Sequence, residues 1–210
     1  APNQAETADV GVNYAGTYDI KDEETLEDKI LEYKVCSSLG IPLQGEIHEQ
    51  SPNRLAQAVI RVVETEGPVH FDEVVRRIRS LWGLKRAGER INKVLEEAAY
   101  LAEISGKIRR QGKFLWPVYM REAPVRKRSD DPPPKIDLIC DEEIAEAVKL
   151  VLKYQHGTLP DDLIVQASRL LGVQATRSET FSRISSVIEK LKVEGLLREM
   201  PNGMIDFTTS

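Results

Sequence analysis

Two stretches of the chain carry the same succession of patterns in register, and a repeat of that kind restricts the fold more than any single motif. In the first, Ala56, Val59, Ile60 and Val63 follow the i, i+3, i+4, i+7 spacing of an amphipathic helix; in the second, Ile144, Ala147, Val148 and Val151 do the same. A break comes after each, Gly67 to Phe71 and Gly157 to Pro160. A second helix is next, with the apolar face Phe71, Val74, Val75, Ile78 and Trp82 in one copy and Leu163, Ala167, Leu170 and Leu171 in the other. Trp82-Gly83-Leu84 and Leu171-Gly172-Val173 end these helices alike, with glycine suited to the left-handed C-terminal position. A third helix is expected around Arg90-Ile91 to Leu95 and around Arg183-Ile184 to Ile188, with Thr176 to Glu179 as a capping box.

Each copy then closes on a hairpin, Ser105 to Trp116 and Glu194 to Phe207, with Gln111-Gly112 and Asn202-Gly203 at the turns. Three helices and then a β-hairpin is the pattern of the winged helix-turn-helix. The expected fold is therefore α+β, mainly helical, with tandem winged helix-turn-helix domains at residues 51–120 and 140–210. Residues 1–50 read as an acidic linker or the edge of a missing neighbouring domain, with one short helix expected over Thr25 to Tyr33. Residues 121–139, which contain Ser129-Asp-Asp-Pro-Pro-Pro134, read as a linker of extended composition.

The run from Ser51 to Val74, then Gly83 to Ile91, and the closing Gly112-Lys-Phe-Leu-Trp116 resemble one known family. It is the domain of unknown function found near the C-terminus of large bacterial superfamily 1 helicases, often beside a restriction-endonuclease-like domain. The resemblance covers Glu46 to Pro117, and the second copy resembles the region C-terminal to that domain in such proteins. It implies a parent chain that unwinds or translocates on DNA, with helicase and nuclease domains outside this piece, and it supplies no catalytic residues.

Charge adds a polarity that the net value of −5 conceals. Residues 1–50 hold 3 Lys/Arg against 11 Asp/Glu, residues 51–128 hold 17 against 9, and residues 129–210 hold 9 against 14. A basic segment between acidic ones can present a positive face although the whole chain is acidic. In a helix-turn-helix the third helix enters the major groove and the wing lies on neighbouring phosphates. With Ile91, Val94, Leu95 and Ala98 turned inward, Arg86, Arg90 and Lys93 are expected along one outward stripe that Lys85 extends, and the wing adds Lys107, Arg109, Arg110 and Lys113. These eight residues are the candidate nucleic-acid-binding set, and DNA is the expected partner. The competing reading is a solvated surface in which Glu89, Glu96 and Glu97 pair with those cations, or a protein-interaction or regulatory module. Phe114 and Trp116 are expected in the core rather than stacked on bases.

In the second copy Arg86 is replaced by Glu179 and Lys93 by Ser186, Arg198 is followed by Glu199, and only Arg90 keeps a counterpart, Arg183. Such a surface repels phosphates, so a packing or protein-contact role is expected there.

Catalysis finds no foothold in the sequence. It contains no GxxxxGK[ST] loop, so no cofactor, nucleotide hydrolysis or catalytic residue is expected, and the chain is read as a non-enzymatic fragment of a longer polypeptide. Asp141, Glu142 and Glu143 read as carboxylates favoured at a helix start, not as metal ligands. His70 reads as a strand or turn residue, and Cys36 and Cys140 lack ligand spacing and read as buried or idle thiols. No apolar run approaches the roughly 18 residues of a membrane span, and a cytoplasmic location is expected.

Overall fold

A computed structural model describes residues 25–86, 88–130, 133–175 and 177–208. The first half runs β1 (Leu31–Glu32), α1 (Pro52–Glu66), β2 (Val69–His70), α2 (Phe71–Leu81), α3 (Glu89–Ile104), β3 (Ile108–Gln111) and β4 (Phe114–Pro117). The second runs β5 (Arg126–Lys127), α4 (Asp141–Gln155), α5 (Pro160–Leu171), α6 (Ser178–Val193), β6 (Leu197–Glu199) and β7 (Ile205–Phe207). The fold is α+β, six helices with small sheets among the described residues.

Local chemistry sets several of these boundaries. Ser51 accepts a hydrogen bond from the Arg54 N–H at 3.4 Å and Pro52 occupies the first turn, so α1 starts with its exposed N–H groups partly satisfied. His70 ends β2 and caps α2, its Nδ1 accepting from the Asp72 N–H at 3.1 Å. Helices α2 and α5 end at Gly83 and Gly172, with φ of 78° and 72°. The second site is also crowded: a Cβ on Gly172 would lie 2.0 Å from the Arg128 carbonyl oxygen. Helix α6 begins at Ser178, with Arg177 in the capping position making no side-chain capping bond; Thr176, expected as the cap, lies outside the described residues.

The hairpins stand where the repeat places them. In the first, Gln111 pairs with Phe114 across Gly112-Lys113, and a positive φ at the first loop residue fits a type II′ turn. Strand β2 adds to its far side, giving the order β2-β4-β3. The second hairpin pairs Leu197 with Phe207 and Glu199 with Ile205, and Thr158 bridges Ile205 where β2 stands in the first half. Both halves thus share the succession helix, bridging strand, helix, helix, hairpin.

Among the described residues two large apolar cores result, with a small third cluster of Trp116, Ala123 and Cys140. One gathers Leu55, Val59, Val62, Val74, Ile78, Leu95 and Leu115; the other gathers Ile144, Val148, Leu163, Leu171, Ile184 and Ile205. The segments expected as linkers contribute to both. Cys36, Leu39 and Ile47 are buried in the first core, and Val125, Ile136 and Ile139 in the second. The helix expected over Thr25 to Tyr33 is instead a 3-10 turn, Glu27–Lys29, succeeded by β1. The Leu31 and Tyr33 N–H groups donate to the Val125 and Lys127 carbonyls, so sheet pairing with β5 takes the donors a helix would use.

A buried ionic network joins the halves. The Glu143 carboxylate, with no exposed surface, accepts from Arg126 Nη2 at 2.6 Å, from Arg128 Nη1 and Nη2 at 2.9 and 3.0 Å, and from the Arg126 N–H at 3.1 Å. Arg126 also donates to the carbonyls of Glu66, Gly67 and Pro68 at 2.6, 2.9 and 2.9 Å, placing its charge at the negative end of α1. Glu66, equally buried, is held by Arg77, by Tyr33 Oη at 2.9 Å and by the Cys36 N–H at 2.9 Å. The Tyr33 ring lies 5.0 Å from the Arg126 guanidinium and 4.6 Å from that of Arg128. Burial would raise the Glu143 carboxyl, but the Arg128 and Arg126 charges outweigh it and hold it below the usual carboxylate range. Burial raises the Tyr33 phenol, helped by the Glu66 charge.

Candidate nucleic-acid interface

The eight candidate cations fall into three groups. Lys85 and Arg86 do not lie on α3, which starts at Glu89 with Gly88 as its cap; they occupy the exposed loop between α2 and α3. The helical spacing from Arg86 to Arg90 therefore does not operate, although the loop still brings both to the N-terminal end of α3. Arg90 and Lys93 are exposed in the first turns of that helix. Around Arg90 the neighbourhood is tied down by long-range contacts: Arg90 Nη1 lies 3.4 Å from His48 Nε2, and Trp82 Nε1 donates to the Gly45 carbonyl at 2.9 Å.

Two of the hairpin cations, Arg109 and Arg110, are engaged. Arg109 stacks on the Trp116 ring, 4.2 Å from its centroid, and donates to the Met120 carbonyl at 2.9 Å. Arg110 turns to the helical side, where it pairs with Glu96 at 2.9 Å and Glu103 at 3.6 Å and lies over Phe71. Lys113 stands at the rim of a cleft of about 520 Å³ that it shares with Asp137, Asp141 and Glu142 of the second half. Of the hairpin set only Lys107, in the turn before β3, is exposed and has neither an ion-pair partner among the described residues nor a place in that cleft.

The cause is that the outer face of the first hairpin is an internal surface. Leu115 points into the helical core, so Phe114 and Trp116 point the other way, where Ala123, Met120 and Cys140 cover them. Trp116 is 1 % exposed, and Phe114 meets His70 edge to face at 5.2 Å. Both rings are packed, as expected from the sequence. At the hairpin tip Gln111 Nε2 donates to Glu142 Oε1. Burial pushes the Cys140 thiol up to about 12, so it stays protonated at the covered face.

Setting aside Arg109, Arg110 and Lys113, which lines the cleft, leaves Lys85, Arg86, Arg90, Lys93 and Lys107. None of these has a carboxylate within ion-pair distance among the described residues. The acids expected to neutralise them behave unequally. Glu96 is taken by Arg110, as is Glu103, while Glu89 and Glu97 remain exposed on α3. Arg110 thus draws Glu96 and Glu103 toward the hairpin and away from Arg90 and Lys93, a pairing visible only once β3 is seen to pack beside α3.

In the second half the corresponding surface is closed by its own charges. Arg183 pairs with Asp141 at 2.7 Å, and Lys192 pairs with Glu189 at 2.9 Å and Glu199 at 3.3 Å. Among the described residues no group of three His, Cys, Asp or Glu is placed to hold a metal ion, and no helix is long and apolar enough to cross a membrane.

No curated protein and no solved structure matches the chain. Residues 45–93 match a family described as "Protein of unknown function (DUF3320)". The matched span carries α1, α2, the loop with Lys85 and Arg86, and the first turns of α3 with Arg90 and Lys93.

Proposed function

We propose that this chain is a non-catalytic, DNA-binding accessory module from the C-terminal region of a superfamily 1 helicase-like protein, built from two tandem winged-helix units. The order helix, strand, helix, helix, hairpin in both halves, with the central hairpin strand paired to the bridging strand, supports the winged-helix reading. The first unit holds DNA backbone through Lys85 and Arg86 in the loop before α3 and through Arg90 and Lys93 on its first turns. One observation carries this: these cations, in the loop before α3 and on its first turns, are exposed with no carboxylate partner among the described residues, while Glu96 and Glu103 pair with Arg110. The second unit acts by packing, since its Arg183 is tied to Asp141 and its Cys140 helps cover the first hairpin.

Titrating the full chain with single-stranded, duplex and forked DNA at several salt concentrations tests the proposal. Each neutralised phosphate contributes about −0.9 to the log–log salt slope on duplex DNA, so three or four contacts give a slope of roughly −3. Arg86→Glu with Arg90→Glu removes two contacts and adds repulsion, and is expected to lower affinity well over tenfold; Arg183→Glu with Arg198→Glu is expected to change it little. Absence of salt-dependent binding to every DNA form would leave the protein-interaction reading in its place.

A further inference from the structure

The segment before α1 reaches the basic end of α3 through a turn built to hold its shape. Ile47, with no exposed surface, anchors the 3-10 turn Ile47–Glu49 in the first core, and that turn packs against α3. Gln50 braces it, its Nε2 donating to the carbonyls of Gln44 and Glu46 at 2.8 and 3.0 Å. Trp82, at the end of α2, ties it down by donating from Nε1 to the Gly45 carbonyl at 2.9 Å. His48 is thereby carried on a braced backbone to Arg90, 42 residues further along the chain, with Nε2 at 3.4 Å from Nη1. A guanidinium can only donate, so the contact is made by the neutral ring, with Nε2 accepting and the proton on Nδ1.

We propose that His48 is a positioning residue for DNA, holding the Arg90 guanidinium in place for a backbone phosphate without neutralising it. This rests on reading Arg90 as a DNA-backbone contact. The argument lies in the kind of partner. A long exposed side chain loses rotamer freedom when it meets a ligand, and a neighbour that fixes it beforehand spares part of that loss. A carboxylate would fix it and also cancel its charge, which is the state of Arg110 against Glu96 and Glu103, and of Arg183 against Asp141 in the second half. An imidazole acceptor takes one N–H and no charge. The remaining N–H groups of Arg90 and its full charge stay available for phosphate oxygens. Glu46, Glu49 and Glu89 stand near these two residues in the sequence, yet no carboxylate of the described residues lies within ion-pair distance of Arg90. The segment read from sequence as a linker therefore supplies part of the proposed DNA surface.

The test is a double-mutant cycle in the full chain: His48→Ala and Arg90→Ala singly and together, with His48→Gln as the variant that sets an amide oxygen near the Nε2 position. Affinity for a blunt duplex is read by fluorescence anisotropy at one low salt concentration, and folding by thermal melting. His48→Ala is expected to bind about three- to tenfold more weakly than the parent, the cost of ordering one long side chain, and to melt as the parent does. His48→Gln is expected to stay within about twofold of the parent. In the Arg90→Ala chain, His48→Ala is expected to cost nothing further, because the residue it positions is gone. Parental affinity in His48→Ala overturns the proposal. So does an equal loss with and without Arg90, which would make His48 a contact in its own right or part of the frame, and so does a Gln variant as weak as the Ala variant. If the parent binds duplex and Arg90→Ala has no effect, the positioning role falls while the surface of Lys85, Arg86 and Lys93 stands. If the parent binds no DNA form, both fail.

Discussion

Replacing Glu143 with Gln preserves the side-chain volume and one acceptor oxygen while removing the charge that two buried guanidiniums share. The side chains of Arg126 and Arg128 are only 6 % and 5 % exposed, so neither can recover hydration without structural opening. Removing one member of a buried, hydrogen-bonded ionic group costs about 3–5 kcal/mol because the remaining charge is left unpaired. The Arg126 bonds to the α1 carbonyls survive the change and place the effect toward the lower half of that range. For a chain of this size each kcal/mol moves the melting midpoint by about 2–4 °C, so a fall of roughly 6–15 °C is expected at neutral pH. The pH dependence fixes the cause. Glu143 is held below its unfolded value, so its contribution is fully present above the ordinary Glu pKa of about 4.3 and is lost as pH falls through the lower folded value. The gap between parent and variant should therefore be constant from about pH 7 to 5 and narrow as pH falls below the ordinary Glu value. Circular-dichroism melts and urea unfolding across that range measure both quantities. A variant within about 1 kcal/mol of the parent at neutral pH, or a gap that widens as pH falls below the ordinary Glu value, would refute the ionic account. Converting Glu143, Arg126 and Arg128 together to Met should be less damaging than the single change, because neither guanidinium is then left buried without its carboxylate.

Gly172→Ala should destabilise the second half by more than about 1 kcal/mol, since φ is 72° and the new Cβ would meet the Arg128 backbone; thermal melting reads this directly. Arg109→Ala should lower the melting midpoint while leaving duplex affinity within about threefold, because its guanidinium lies on Trp116 and Met120 and not in solvent; a loss comparable to that from Arg86→Glu with Arg90→Glu would return it to the DNA surface. Arg110→Ala should weaken duplex binding in proportion to the release of Glu96 and Glu103, and the loss should shrink as salt is raised; anisotropy at two ionic strengths decides this.

The helices and hairpins are legible in the sequence because each carries a period that needs no knowledge of its neighbours. Val59, Val62 and Val63 on α1, Leu163 and Ala167 on α5, and the turn glycines all show this. The features that sequence reasoning misses depend on partners far along the chain. Glu143 stands in the first turn of α4, where a carboxylate is expected to favour the helix dipole, and nothing local shows that two arginines 15 and 17 residues earlier fold back to it. Arg109 and Arg110 read as adjacent wing cations, but successive residues on a strand face opposite sides, so one meets Trp116 and the other meets α3. Arg86 belongs to a helical stripe only if α3 begins before it, and Gly88 delays that start.

The two hairpins show how a repeated unit can acquire different duties without changing its topology. In the first, the strand position whose side chain points away from the helices is Trp116, paired across the ladder with Arg109; in the second, the same position is Asp206, paired with Arg198. An apolar ring on an outer sheet face must be covered, and the second half covers it with Ala123 and Cys140. A cross-strand Arg and Asp can remain in water and call for no cover. That one difference makes the first hairpin an internal joint and leaves the second hairpin's outer face polar. It also decides where the first unit can meet a ligand. With its hairpin occupied by the joint, the surface still open is the loop that carries Lys85 and Arg86 and the outward side of α3, which is where Arg90 and Lys93 lie without a carboxylate partner among the described residues.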